Sequence, residues 1–285
     1  MGIVGGVYRI GKVPISKIGA RKGMQVRVLS PPLDSFMLEI DRDPLFNEAK
    51  ENLDRLGIEA ILFDLDDTLI YTSEIFILYM QEYASAVAEK IGMEAGEVME
   101  ALRSINDEEF KRMGVNPKRW EVVVEKLAKR FGHGEKEVLE GLEVLMKIYS
   151  IEPRMRRGVG GMLKVFRESR IKMVLVTHAN VEWTNFKLDR SGLWEYFETV
   201  IIVDENGHKK SEDWKRGMDA VGVRPENCLV VGDSLGGDIR PGDELGARTV
   251  WLPSPWSVYR QGEVPERTVV IDEIFDLLTA LGRLG

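Results

Sequence analysis

The chain has 285 residues, 44% hydrophobic and 30% charged, with a net charge of −8 and one cysteine. That balance suits a folded globular protein of one large or two moderate domains and excludes a disordered one. The acidic net charge, with no concentrated basic groove, argues against a nucleic-acid partner. No apolar run is long enough to span a bilayer, and the N-terminus lacks the pattern of a secretory signal. Cys228 lies in an apolar run and has no partner for an internal disulfide, which fits a reducing cytoplasm.

In chain order, residues 1–36 form a basic N-terminal extension. Arg9, Lys12, Lys17, Arg21, Lys22 and Arg27 precede the first acid, Asp34, and no strand or helix period emerges. The stretch is expected to be a disordered tail or an upstream extension ahead of Met24 or Met37, rather than an arm for RNA or a membrane surface. Asp43 to Leu56 has a helical stripe of Leu45, Ala49, Leu53 and Leu56, and Gly57 stops it. Ile58 to Phe63 is then an apolar run of the kind that makes a strand buried on both faces.

That run ends in Asp64, Asp66 and Asp67. Ionised carboxylates are costly to bury unless something pairs with them, so packing alone does not account for them. Asp64 and Asp66 are two apart on an extended chain and share a direction. Two carboxylates aimed at one spot call for a shared proton or a cation, and hard divalent ions take such oxygen ligands.

From Ser73 to Ser150 no convincing strand appears. Helices are predicted from Ser73 to about Ile91, Gly96 to Ile105, Pro117 to Phe131 with Asn116 as cap, and Gly134 to Tyr149. Residues 72–156 therefore read as an all-helical cap inserted directly after the first strand. Arg112, Lys118, Arg119 and Trp120 on it are either substrate-facing or ordinary helix-surface groups. Strand–helix alternation resumes after Arg157. Strands are predicted at Lys172–Thr177, Val200–Val203, Cys228–Gly232, Arg248–Leu252 and Thr268–Ile271, with helices at Gly158–Arg170, Val181–Ser191, Glu212–Val221 and Ile274–Leu281. Residues 37–71 and 157–285 thus form one α/β core, a doubly wound parallel sheet with right-handed crossovers.

In such a sheet the strand ends gather on one edge, where ligands bind. That edge would collect Asp64 and Asp66, Thr177-His178-Ala179-Asn180, Lys209 and Lys210, and Gly232-Asp233-Ser234 with Asp238. Carboxylates, a hydroxyl and an ammonium suit phosphoryl transfer: cations neutralise phosphate oxygens, donors orient them, and a carboxylate attacks in line. His133 and His208 have no partner at metal-binding spacing.

The motifs also resemble those of the haloacid dehalogenase (HAD)-like hydrolases. Asp64-Leu65-Asp66-Asp67-Thr68-Leu69 is similar to the family's Asp-x-Asp-x-Thr motif, Thr177-His178-Ala179 stands where Thr-Asn-Gly is usual, Gly207-His208-Lys209-Lys210 matches the lysine motif, and Gly232-Asp233 through Asp238 matches the acidic fourth motif. The resemblance implies a magnesium-dependent phosphatase of the helical-cap branch, acting on a small phosphorylated metabolite through an aspartyl-phosphate, as a monomer or homodimer. By the same likeness Asp64 is the nucleophile and Asp66 the general acid and base. Asp64, Asp66 (through its backbone carbonyl), Asp233 and Asp238 hold Mg2+, and Thr177, His178 and Lys210 bind the phosphoryl group. Lys210 is preferred over its rival Lys209 because it holds the position before the usual proline, here Ser211. His178 in place of Asn would add a titrating imidazole beside phosphate. The alternatives are a phosphosugar mutase of the β-phosphoglucomutase type and, more remotely, a receiver-like phospho-aspartate module.

Overall fold

The computed structural model describes residues 7–9, 44–205 and 207–285. Its centre is β2 (Ala60–Phe63), whose four residues are all buried. β3 (Lys172–His178) and β5 (Cys228–Gly232) flank it in parallel, pairing Phe63 with Leu175 on one side and Val231 on the other. Outside them lie β4 (Thr199–Val203), β6 (Arg248–Trp251) and β7 (Val269–Val270), all parallel. The last member, β1 (Val7–Arg9), runs antiparallel along β4, pairing Val7 with Ile201. The sequence showed no strand period there. The rest of the extension, 1–6 and 10–36, lies outside the described residues, as does the expectation of disorder made for it.

Alternation along β2 explains why both faces are covered. Ile61 and Phe63 join a cluster with Leu53, Leu163, Phe166 and Leu277, from α1 (Pro44–Leu56), α7 (Val159–Glu168) and α11 (Leu277–Ala280). Ala60 and Leu62 face the other way, onto Trp214 and Met218 of α9 (Ser211–Val221). Side chains on successive strand residues point to opposite faces, so a strand apolar at every position has to be covered on both. Each fully buried aliphatic or aromatic side chain contributes about 1.5–3 kcal/mol.

The segment between β2 and α7 folds into α2 (Ser73–Ile91), α3 (Ala95–Met113), α4 (Arg119–Phe131), α5 (Glu135–Glu140), α6 (Leu142–Met146) and a 3-10 turn at Lys147–Ser150. It has its own apolar cluster, including Tyr83, Leu102, Val123, Leu127, Val138 and Leu145. Trp183 from α8 (Val181–Ser191) of the α/β layer reaches into it. The chain enters and leaves this block side by side. Ile70 bridges Met155, Tyr71 N–H donates to Arg154 O at 2.8 Å, and Arg156 N–H donates to Leu69 O at 2.9 Å.

Two helix limits differ from the sequence reading. α3 continues eight residues past Ile105, through Asp107-Glu108-Glu109. Glu109 is buried, but Lys126 meets it at 2.5 Å and Arg112 also bonds to it, while Phe110 packs. The stretch Gly134–Tyr149 is not one helix. It breaks at Gly141, where a Cβ would lie 2.6 Å from the Tyr83 ring. Asn116 is not the cap: α4 starts at Arg119 with Lys118 at the N-cap position and no side-chain cap, and the Asn116 Oδ1 instead accepts from Lys118 N–H at 2.9 Å in the turn before the helix.

Candidate active site

Because β3, β2 and β5 are neighbours, their carboxyl ends put Asp64, His178 and Asp233 on one rim of a cavity of about 550 Å³ under the helical block. Asp64 follows β2 directly, and its N–H donates to Val231 O at 2.9 Å, which extends the ladder to the acid itself. Its carboxylate is buried, accepts from Thr68 Oγ1 at 3.0 Å and meets Lys209 Nζ at 2.5 Å. Lys209 Nζ also lies 2.5 Å from Asp238 Oδ1. We read that second contact as an ion pair rather than an aligned hydrogen bond, because the same oxygen has no hydrogen-bond partner. Asp238 sits on a π-helical turn, Leu235–Ile239, and its other oxygen accepts from Ser234 N–H at 2.9 Å. Gly232 makes this approach feasible, since a Cβ there would fall 2.3 Å from Asp238 Oδ2.

Asp64, Asp233 and Asp238 each bring an oxygen within 4.8 Å of the others, and all three are buried. Only Lys209 is paired with any of them among the described residues. The negative excess shows in the titration of the group. Burial, with Asp238 and Asp66 adding to it and Lys209 opposing, pushes the Asp64 carboxyl up to about 7. Burial, then the charges of Asp64 and Asp238, lifts Asp233 well above the usual carboxylate range. Burial alone would lower the Lys209 pKa, but Asp238 and Asp64 outweigh it and hold the ammonium charged. Buried oxygens in excess of their cations are the donor set that a hard divalent ion requires, so the residues fit the metal the sequence implied.

This has a measurable consequence. A carboxylate whose folded pKa is raised binds more protons in the native than in the unfolded state, so metal-free stability falls as pH rises from about 4 to about 7. A cation that binds the deprotonated cluster should restore it. At pH 8, magnesium at about one hundred times its dissociation constant should raise Tm by about 5 °C, and at pH 5 by much less. Coincident melting curves in EDTA and magnesium at pH 8 would refute a metal role for the cluster.

Asp66 lines the same cavity, but its carboxylate stands apart from the cluster. Thr72 Oγ1 donates to Asp66 Oδ1 at 2.5 Å, and Lys187 Nζ meets its two oxygens at 2.5 and 2.8 Å. Lys187 is wholly buried, 4.2 Å above the Trp183 ring. Sequence reasoning gave it no role. The available signal was a lysine four residues after Trp183 on the inward stripe of α8, next to Leu188. Asp67 has φ 59° and accepts the N–H groups of Thr72 and Ser73 at 3.0 and 2.8 Å, so its carboxylate satisfies the start of α2.

The lysine assignment is corrected. Lys209 makes the contact to Asp64, whereas Lys210 is exposed and its backbone N–H caps α9 onto Asp213 at 3.1 Å. On an extended chain neighbours point opposite ways, so only one of the pair can face the acids. Thr177 is fully buried, its hydroxyl has no partner among the described residues, and it does not line the cavity, whereas His178, Ala179 and Asn180 do. His178 does line the cavity but does not titrate near neutrality. Burial, then Lys209 and His208, pushes its pKa down to about 3.

Comparison with known proteins agrees with this geometry. Residues 58–246, about two thirds of the chain, match the haloacid dehalogenase-like hydrolase family. The chain is 29% identical to pyrophosphatase PpaX of Halalkalibacterium halodurans, over 68% of this chain and 83% of that protein. It is 30% identical to glyceraldehyde 3-phosphate phosphatase of Methanopyrus kandleri, over 68% and 83%. Among solved structures it is similar to a haloacid dehalogenase-like hydrolase from Xanthomonas campestris, with TM-score 0.63 and 17% identity over 80% of this chain and 92% of that one. No described helix is long and apolar enough to cross a membrane.

Proposed function

The chain belongs to the haloacid dehalogenase-like hydrolases, and we propose that it is a magnesium-dependent phosphatase that hydrolyses a small phosphorylated metabolite through an aspartyl-phosphate on Asp64. The observation that carries this is the buried set of Asp64, Asp233 and Asp238 around the single ammonium of Lys209. Relatives named as a pyrophosphatase, a glyceraldehyde 3-phosphate phosphatase and an N-acylneuraminate-9-phosphatase support the reaction class.

An Asp64 oxygen attacks phosphorus in line, the bond to the leaving oxygen breaks, and Asp66 gives that oxygen its proton. Water then attacks the same phosphorus, Asp66 takes the proton from it, and the bond to Asp64 breaks to free phosphate. Lys209 holds Asp64 in place and offers its charge to the phosphoryl oxygens, as does the backbone N–H beside the end of β3. Thr72 and Lys187 fix the direction of Asp66. Mg2+, held by Asp64, Asp233 and Asp238, would neutralise charge on the phosphoryl group.

Phosphate release from p-nitrophenyl phosphate and a panel of sugar and acid phosphates tests the reading. Turnover is expected with magnesium and lost in EDTA. Isomerisation of a sugar phosphate without phosphate release would favour the mutase instead, and metal-independent turnover would contradict the proposal.

A further inference from the structure

The helical block brings to the cavity a positive charge that has no ion-pair partner among the described residues; Asp107, which also lines the cavity, acts on it only from beyond ion-pair distance. Arg119 is 4% exposed yet lines the cavity. Its Nε donates to Asn106 Oδ1 at 3.0 Å and Nη1 donates to the Gly114 carbonyl. Its guanidinium carbon lies 5.4 Å from the centres of the Phe110 and Trp120 rings. Among the described residues Nη2 has no hydrogen-bond partner, and no acid forms an ion pair with the group. A guanidinium taken out of water with neither a carboxylate nor a full set of acceptors is unfavourable, and it is retained where a ligand supplies the missing anion.

A second donor sits beside it. Tyr149 also lines the cavity, and its hydroxyl oxygen accepts from Trp120 Nε1 at 3.2 Å, which leaves its own O–H without an acceptor among the described residues. The phenol is neutral, because burial raises its pKa. Tyr259 lines the same cavity, and its hydroxyl feels the charges of Asp233 and Arg119 together. The cavity lining therefore carries two charged groupings. One is built for a phosphoryl group. The other offers Arg119 and Tyr149 donors within a wall of aromatic rings.

We propose that the substrate is a phosphate monoester carrying a second anionic group, a carboxylate or another phosphate, which the Arg119 guanidinium and Tyr149 hydroxyl bind where the helical block lines the cavity. This rests on the phosphatase reading and narrows its substrate class. A guanidinium gives a planar, charge-assisted contact to either anion, and the aromatic wall suits a short carbon skeleton between the two charges.

The test is a series of ω-hydroxy acid phosphates of one to five methylenes, measured against diol monophosphates of equal length and against the matching bisphosphates. At the best length the anion-ended ester should exceed its hydroxyl-ended counterpart in kcat/KM by about 10- to 100-fold, the range that one charge-assisted hydrogen bond gives. Arg119→Met should bring that ratio close to one, and Arg119→Lys should keep part of it. Since Arg119 also braces the Gly114 turn, Tyr149→Phe supplies an independent variant, expected to lower the ratio several-fold through KM while kcat on the hydroxyl-ended esters stays the same, with a Tm loss of a few degrees at most from the Trp120 N–H it leaves without an acceptor. Whichever anion gains more identifies the second group. Equal kcat/KM for anion-ended and hydroxyl-ended esters at every length in the unmodified enzyme would overturn the proposal and leave the phosphatase standing. Failure to hydrolyse any ester would remove the phosphatase reading itself.

Discussion

Asp64→Asn should lose at least about four orders of magnitude in kcat on every phosphate ester, because an amide oxygen cannot form the acyl-phosphate bond. The same substitution should make the metal-free protein more stable at pH 8. Asp64 is buried beside other acids, and burial is the chief reason its carboxyl sits near 7 rather than in the usual range. Above that pH the ionised form is disfavoured in the fold by up to about 4 kcal/mol relative to the protonated one, at 1.36 kcal/mol per unit. Asparagine resembles the protonated acid, so it escapes that cost while Lys209 keeps its contact with Asp238. The gap should narrow as pH falls, to about 1.5 kcal/mol at pH 5, and close only below about pH 4, where Asp64 is protonated in the unfolded chain as well. Adding magnesium at pH 8 should reverse the order, since only the carboxylate contributes a full ligand. Melting curves in EDTA and magnesium at the two pH values, with phosphate release alongside, give all four comparisons. Retained turnover in Asp64→Asn would remove Asp64 as nucleophile, and a metal-free Tm below that of the native protein at pH 8 would show that the cluster is not strained by its own charge.

The part of this site that was legible in the sequence is the part that strand chemistry dictates. A buried strand that stops at Asp64, a second that stops at Thr177-His178, and a third that stops at Asp233 are readable because apolar runs and acids are opposites in burial cost. Parallel order then brings their ends together without further information. What was not legible depended on contacts between distant segments. The helical run through Asp107-Glu108-Glu109 is supported by the pairing of Glu109 with Lys126 from the next helix. Lys187-Leu188 fits the family's segment after Thr177, but nothing in that likeness gives the lysine a role, which follows from its 2.5 Å approach to Asp66 across 121 positions of chain. The strand at Val7–Arg9 gains its backbone partners from the exposed edge of β4, which a local period cannot reveal. For Arg119 the sequence leaves both a substrate-facing and an ordinary helix-surface reading open, and the fold alone, which sets it by Phe110 and Trp120 in the cavity lining, decides between them.

Lys209→Met and Lys210→Met should separate cleanly although the residues are adjacent. Lys209 is the only described cation touching Asp64 and Asp238, and it is buried with them. Its removal leaves buried carboxylates facing one another, a loss of about 3–5 kcal/mol in stability at pH 8 without metal. The deficit should shrink as pH falls toward 5, where the acids protonate, and on adding magnesium, which replaces part of the missing charge. Activity should drop by about 100-fold or more even where the protein is folded, because Asp64 loses its anchor and the phosphoryl oxygens a positive neighbour. Lys210→Met should change stability by no more than about 0.5 kcal/mol, as is usual for an exposed side chain with no ion pair, and kcat/KM by less than about twofold. The backbone enforces the distinction. Lys210 has φ −135° and ψ 170°, and it is the last extended residue before Ser211 opens α9. Its side chain is therefore turned away from the direction taken by Lys209. The two variants side by side test this directly, since each keeps one lysine of the pair. Equal activity in the two would mean that the loop slides to present whichever lysine it has, and the assignment to Lys209 would fall.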